Sequence, residues 1–201
     1  MKRLQPIVFV SLFLLVAVAA VSAQTPITRN EQFAAGAEAA KKGDYKTANE
    51  WYTKALKHDP NDVDILYARA GTFIMLKKVS EAVKDLDTIL ATNPRNQNVL
   101  VSVLYARASY LNMKGDYKKA MKDAEAILAI NPDHSGAYQA RGGAYLGQKK
   151  YKESEADLTR AIELNPRDHV SYTVRAAVYE MQGMAAQAQA DKLKAEQLKG
   201  Q

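Results

Sequence analysis

The sequence predicts an all-α protein built as an elongated array of about five repeated helical pairs. Four prolines that each follow Asp or Asn recur at intervals of 34, 38 and 34 residues: Asp59-Pro60, Asn93-Pro94, Asn131-Pro132 and Asn165-Pro166. A fixed period of this length is typical of repeat architectures. Between the prolines the apolar residues follow helical spacing, and no segment shows the alternation expected of a strand. Each repeat should therefore pack against the next, as in an α-solenoid.

Each unit is expected to hold two helices joined by a short turn. Counting from the prolines gives units 29–62, 63–96, 101–134, 135–168 and a partial last unit, 169–201. The predicted helix pairs are 30–42 with 46–58, 63–77 with 80–92, 97–114 with 118–130, 135–148 with 152–164, and 169–182 with 185–198. The long interval adds four residues around Arg95 to Leu100, about one helical turn. We interpret them as a tolerated length variation, with a protruding turn that changes the curvature of the array or contacts a partner as the alternative.

The ends of the predicted helices carry suitable turn and capping residues. In Gly43-Asp44 and Gly115-Asp116, glycine suits a helix C-terminus and the aspartate can cap the helix that follows. A side chain able to cap the next first helix follows three of the four proline steps. The expected N-caps there are Asp62, Asp133 and Asp168.

The first 23 residues have the pattern of a secretory signal peptide. Lys2-Arg3 precedes the apolar run 7–21, and Val21-Ser22-Ala23 resembles a cleavage signal. The run is shorter than the roughly 20 residues of a spanning helix, which favours cleavage over an uncleaved anchor. We therefore expect cleavage after Ala23 and an exported repeat domain, 24–201, in a periplasm or outside the cell.

Composition excludes several classes of function. The chain has no cysteine, so it is neither a thiol enzyme nor a cysteine-ligated zinc protein. Loss of Lys2 and Arg3 lowers the formal net charge from +6 to +4, which does not indicate nucleic-acid binding. Attraction to acidic partners or anionic lipid surfaces stays open. The three histidines, His58, His134 and His169, fall near turns and form no catalytic or metal-binding pattern. We expect no enzyme activity, no metal and no cofactor.

Residues at fixed places of the units resemble those of the tetratricopeptide repeat family. That family's 34-residue unit has a small residue at position 8, aromatic residues at 11 and 17, alanine at 20 and 27, a large apolar residue at 24 and proline at 32. The first unit supplies Gly36, Ala39, Tyr45, Ala48, Tyr52, Ala55 and Pro60, and the fourth supplies Gly142, Tyr145, Tyr151, Ser154, Leu158, Ala161 and Pro166. The resemblance implies a right-handed α-solenoid that binds other proteins.

The last unit departs from the family pattern in a way that suits the end of an array. Position 24 is Lys192, where the other units have apolar residues. Gln187, Asp191 and Lys194 add to the polarity of the final helix. Since the last repeat has no neighbour beyond it, one face should be wet, and we expect this helix to cap the array.

The resemblance implies a binding groove lined by the first helix of each unit. Carried over to this chain, the partner-binding residues are Phe33, Tyr67, Ile74, Met75, Tyr105, Asn112, Met113, Gln139, Leu146, Thr173 and Met181. Tyr and Met offer adaptable apolar contacts for a segment of another protein. The alternative is that several of these side chains pack the helices together, and for Met75 and Met113 the two interpretations are equally open.

The resemblance also allows one specific test. Chaperone-binding members grip a peptide carboxylate with a clamp of Lys and Asn residues. In this chain the clamp positions carry Phe33, Ala37, Ala68, Ser102 and Ala106, and the frame one unit later is equally uncharged. Docking of chaperone C-termini is therefore not indicated.

A row of arginines recurs at one position of the first helices in units two to five. Its members are Arg69, Arg107, Arg141 and Arg175. We interpret the row as structural, with stems packed between repeats and heads reaching acids or carbonyls, and keep an anion-binding row as the alternative.

The leading hypothesis is a non-enzymatic scaffold of the cell envelope that binds a segment of another protein in the groove. The first alternative is self-association, in which the groove or the last helix docks a second copy. The second is an accessory subunit of an envelope enzyme or a glycan-handling complex.

Overall fold

The computed structural model describes residues 27–199, and within that range it is entirely helical. The ten helices are α1 (Arg29–Lys41), α2 (Tyr45–Ala55), α3 (Val63–Met75), α4 (Val79–Ala91), α5 (Gln97–Lys114), α6 (Tyr117–Ile130), α7 (Ser135–Gly147), α8 (Tyr151–Leu164), α9 (His169–Met181) and α10 (Ala185–Lys199). The all-α prediction is confirmed, and the helix ends lie within three residues of the expected ones. The predicted signal peptide lies outside the described residues.

The helices pack in sequential pairs, and each pair packs against the next. Odd-numbered helices are the first helices of the units, and α1–α3, α5–α7 and α7–α9 lie directly side by side. They form one face of the array, while the even-numbered helices form the other. The core between the two layers is built from buried, mostly aliphatic side chains, which group into clusters along the array. The largest fully buried side chains are Ile65, Leu86, Ile89, Ile127 and Leu158.

Three of the five expected helix caps form, and two do not. Asp62 and Asp168 accept hydrogen bonds from backbone N–H groups in the first turns of α3 and α9. Asp44 caps α2 in the same way, whereas Asp116 precedes α6 without a side-chain cap bond. Asp133 does not cap α7.

The cap of α7 is His134, the residue after Asp133. Its Nδ1 accepts a hydrogen bond of 3.0 Å from the Ala137 N–H, and Asp133 instead forms an ion pair with Arg160. An imidazole accepts at Nδ1 only when that nitrogen is unprotonated. Burial lowers the pKa of His134, which favours the same neutral state.

This cap makes the stability of the protein depend on pH. Because the folded pKa of His134 is lowered, its contribution is present above the unfolded pKa near 6.5 and is lost as the pH falls through the lower folded pKa. We expect His134→Asn, which supplies a cap that does not titrate, like Asn96 before α5, to reduce the loss of stability between pH 7 and pH 5. Urea unfolding at both pH values measures this, and an unchanged pH dependence in the variant would contradict it.

The turn inside each unit passes through a left-handed residue. Gly43, Gly115 and Gly183 hold this position in units one, three and five, but Lys77 and Lys149 hold it in the other two, with φ near 60°. A side chain in this conformation is strained. The sequence marks only the glycine turns, and the fold imposes the same geometry on the lysine turns.

Replacing Lys77 with glycine is expected to stabilise the protein. Relief of the left-handed strain favours the folded state, whereas the extra backbone entropy of glycine favours the unfolded chain. The net effect should raise the free energy of unfolding by about 0.5–1 kcal/mol. Lys78→Gly is the control, because Lys78 has φ −99° and gains nothing from glycine. Urea unfolding midpoints measure both variants. If Lys77→Gly lowers the urea midpoint as much as Lys78→Gly does, the left-handed conformation of Lys77 does not destabilise the folded protein.

The extra residues of the third unit extend its first helix. α5 has 18 residues, whereas α1, α3, α7 and α9 have 13 each. Asn96 caps this long helix by accepting from the N–H groups of Asn98 and Val99. The insertion is therefore an added turn at the N-terminal end of α5.

The last helix caps the array as expected, with one difference. Gln187, Lys192 and Lys194 are exposed on α10. Asp191 is buried and belongs to the inside of the repeat, where it pairs with Arg175. The Asp191 carboxylate therefore joins α10 to α9 through this ion pair and does not contribute to the solvent-exposed face of α10.

Candidate protein-binding groove

We call the exposed side chains of α1, α3, α5, α7 and α9 the groove face. It contains a cleft of about 480 Å³ between α1, α3 and α5, which we call the apolar cleft. Its lining residues are Phe33, Val63, Asp64, Tyr67, Ala68, Asn98, Val99, Ser102 and Val103. All of them come from first helices, so the cleft opens on the groove face alone.

The long α5 explains why the apolar cleft lies at this junction. α3 and α5 approach each other least among neighbouring first helices, whereas α5 and α7 pack closely. The added turn of α5 brings Asn98 and Val99 beside α3, where no other unit has equivalent residues. The insertion therefore supplies one wall of the cleft.

The predicted groove residues divide into exposed and packed groups. Tyr67 is 41% exposed, and the methionines Met75, Met113 and Met181 are 55–62% exposed. Thr173 is exposed as well, while Phe33, Ile74 and Leu146 are half-buried. For Met75 and Met113, high exposure favours the groove interpretation over core packing.

Three of the predicted groove residues instead join α5 to α7. The Tyr105 hydroxyl donates to Gln139 Oε1 at 2.9 Å, and Gln139 is buried. Burial also raises the pKa of the Tyr105 phenol, which keeps it a donor. Asn112 Nδ2 donates to the Ala140 carbonyl at 2.7 Å, and its own Oδ1 is buried without a hydrogen bond in the described part of the chain. These side chains align the third unit with the fourth.

Sequence reasoning missed the α5 side of the cleft. The prediction places the third unit at 101–134. Asn98 and Val99 lie before it, in the insertion between units, and so are not among the predicted groove residues. The available signal was the helical spacing of Val99 and Val103, which extends the apolar stripe of α5 back by one turn.

The apolar cleft is almost uncharged. Asp64, at the exposed end of α3, is the single ionisable carboxylate or cation among its lining residues. The other polar groups are the Asn98 amide and the Tyr67 and Ser102 hydroxyls. Such a surface suits an apolar side chain of a partner, flanked by neutral or basic groups.

The arginine row is saturated by carboxylates. Arg69, Arg107, Arg141 and Arg175 each bind both oxygens of an aspartate 16 residues later, at 2.7–2.9 Å. Those partners are Asp85, Asp123, Asp157 and Asp191, on the second helix of the same unit. The Asp123 carboxylate raises the pKa of the Arg107 guanidinium. The structural interpretation of the row fits this geometry, since the heads face carboxylates rather than an open anion site.

A metal ion needs a set of converging ligands, and a membrane-spanning helix needs sufficient apolar length. Among residues 27–199, no three of His, Asp or Glu gather as a metal site would require. Within the same range, no helix is long and apolar enough to cross a membrane. The candidate functional site in the described residues is therefore the groove face, a surface suited to binding another molecule.

The fold and the groove define a helical-repeat protein of the interaction-scaffold class. Models described as tetratricopeptide repeat match residues 39–108, 101–134, 135–168 and 158–190, so together they cover most of the chain. The chain belongs to the tetratricopeptide repeat family, whose arrays bind other proteins.

Solved structures of similar fold support the assignment. A tetratricopeptide repeat protein from Parabacteroides merdae is 28% identical, with a TM-score of 0.74 over 84% of this chain and 64% of that one. MamA from Desulfovibrio magneticus is 20% identical, with a TM-score of 0.68 over 85% of this chain and 94% of that one. A thermophilic repeat protein of Thermus thermophilus is 24% identical, with a TM-score of 0.67 over 85% of this chain and 91% of that one.

One curated protein matches a short stretch of the sequence. The Hsp70-Hsp90 organizing protein of Triticum aestivum is 42% identical over 53 residues, which is 26% of this chain. The match spans about a tenth of that protein's length, 9%. It is a likeness between repeats.

Proposed function

We infer that this protein is a non-enzymatic scaffold that binds a segment of another protein on its groove face, with the apolar cleft as the main anchor point. The observation that carries the inference is the cleft itself. It is open, apolar and formed by three first helices, at the one junction where the array is widened. A large apolar side chain of a partner fits a cleft of this size and lining.

The partner segment should be helical or extended and should carry its anchor next to neutral or basic residues. Tyr67, exposed beside the cleft, gives it an aromatic contact, and Asp64 favours a nearby cation. Met75, further along α3, and Met113 at the end of α5 extend the apolar contact along the groove. Their flexible side chains can adapt to the shape of the segment.

The features of the first 23 residues support an exported location, in a periplasm or outside the cell. The scaffold would then act in a complex of the cell envelope. Chaperone C-termini are not the proposed ligand, because the clamp positions Phe33, Ala37, Ala68, Ser102 and Ala106 carry no charge. The likeness to the Hsp70-Hsp90 organizing protein is therefore proposed to extend to the repeats and not to binding of Hsp70 or Hsp90.

Site-specific photocross-linking tests the groove. A photoreactive residue is placed at Tyr67 in one variant and at Lys118, exposed on the opposite face, in a matched control. In the source cells, we expect the variant with the photoreactive residue at position 67 to form a cross-linked product with a partner protein. The variant with that residue at position 118 should not form this product. The same adduct from both positions, or none from 67, would overturn the proposal. An adduct with the mass of two chains identifies self-association instead.

A second variant locates the anchor within the groove. Ser102→Arg puts a charge into the apolar cleft, and we expect it to weaken partner binding by at least about tenfold. Thr173→Arg adds the same charge on the groove face of the last unit, far from the cleft, and should leave most of the binding intact. Circular dichroism confirms that both variants fold. Equal losses would show that the cleft is not the anchor.

A further inference from the structure

A second cleft lies on the other face of the array, between α4, α5 and α6. It has a volume of about 470 Å³, and we call it the basic cleft. Its lining includes five cations, against three carboxylates, Asp87, Asp116 and Asp123. The cations are Lys84, Arg107, Lys114, Lys119 and Lys122. Three helices of two successive units therefore direct positive charge to one concave site.

The charges of the basic cleft are not all neutralised by one another. Arg107 is occupied by Asp123 and by Asp87, at 2.7 Å each. Lys114 lies 3.8 Å from Asp116, a loose pair. Lys84, Lys119 and Lys122 form no ion pair within residues 27–199. The unpaired ammonium groups, and not the arginine row, are the groups free to bind an anion.

The N-terminus of α6 adds to the same field. Its N-cap residue Asp116 makes no side-chain bond to the first turn, so the leading N–H groups of this 14-residue helix lack a side-chain acceptor. Asp116 and Lys119 both line the cleft, which places that helix end at its rim. Helix N-termini favour anions through these N–H groups and the helix dipole.

Comparison among the units shows that the third is unusual here. The position of Lys119 is held by Glu81 in the second unit and by Glu153 in the fourth. The charge is therefore reversed at the junction that carries the basic cleft. General packing does not require a lysine at this position, because the neighbouring units fold with glutamate.

We propose that the basic cleft binds a phosphoryl group carrying at least two negative charges. Lysine ammonium groups bind phosphate as mobile point charges, and the helix end offers N–H donors. The volume exceeds that of a single phosphate and accommodates a diphosphate or a phosphate ester. Two sources share this chemistry, a soluble phosphate compound and the headgroup of an anionic lipid. The inference does not depend on the proposed groove function.

The test titrates the full chain with pyrophosphate at low ionic strength and follows backbone amide resonances. We expect saturable shifts at about millimolar ligand, centred on Tyr117 to Lys122 and Ser80. The double variant Lys119→Glu, Lys122→Glu should weaken binding at least about tenfold. The control, Lys46→Glu with Lys57→Glu, changes the net charge equally at exposed sites on α2 and the turn after it, away from the cleft.

Each outcome decides the proposal. Shifts confined to the cleft and lost only in the cleft variant support it. Equal weakening in both variants shows a general charge effect and overturns it, as does the absence of saturable shifts. Sedimentation with phosphatidylglycerol vesicles then separates the sources. Vesicle binding that needs Lys119 and Lys122 assigns a headgroup, and its absence beside pyrophosphate binding assigns a soluble phosphate.

Discussion

Replacing Leu158 with alanine is expected to lower the free energy of unfolding by about 3 kcal/mol, because Leu158 is fully buried and its loss leaves a cavity. α7 and α8 approach closely at this point. A Cβ built on Gly142 would lie 2.8 Å from Leu158 Cγ, closer than two carbons tolerate. Gly142→Ala alone should therefore cost about 1–2 kcal/mol through overpacking.

The two substitutions should compensate each other. The third unit already has the resulting pair, since Ala108 and Ala124 occupy the same positions and are both fully buried. We expect the double variant to be at least about 1 kcal/mol more stable than the sum of the single effects predicts. Urea unfolding followed by circular dichroism gives the three values. Strict additivity would show that Gly142 and Leu158 do not limit the helix spacing.

The fold was predictable from the sequence because its determinants are local. Proline steps, helical spacing and capping residues each act within a few residues, and they repeat along the chain. The N-cap of α7 was predicted wrongly because two adjacent residues are both able to cap this helix. Asp133 and His134 are both able to cap α7, and the backbone places the His134 side chain over the first turn.

The groove was less predictable, since it depends on how far apart the helices sit. Tyr67, Tyr105 and Gln139 hold the same position in units two, three and four. Tyr67 is exposed because α3 and α5 are spread apart, whereas Tyr105 and Gln139 bond to each other because α5 and α7 are close. A repeat position gives the direction of a side chain, and only the packed array decides whether a neighbour covers it.

The aspartate partners of the arginine row could have been found from the sequence. Asp85, Asp123, Asp157 and Asp191 recur at the same spacings as the arginines, always 16 residues later. The first unit lacks both members and has Ala35 and Trp51 there instead. This paired loss at one end indicates that the two positions act together.

Removing one aspartate from the middle of the row is expected to be strongly destabilising. Asp157→Ala leaves the largely buried Arg141 guanidinium without a carboxylate, and we expect a loss of about 2–3 kcal/mol. The double variant Arg141→Met, Asp157→Leu removes both charges and should recover most of that loss. Asp133→Ala is the surface control, since its ion pair with Arg160 is exposed and screened by solvent and should contribute little to stability.

The same substitution at the end of the row should act locally. Asp191 pairs with Arg175 in the fifth unit, which within the described residues packs against the fourth unit alone. Because stability in an array passes between neighbouring repeats, Asp191→Ala should speed hydrogen exchange in α9 and α10 and leave α1 to α4 unchanged. Asp157→Ala should instead speed exchange in the units on both sides. If the two variants give the same exchange pattern, the array unfolds as one unit and the row stabilises all of it equally.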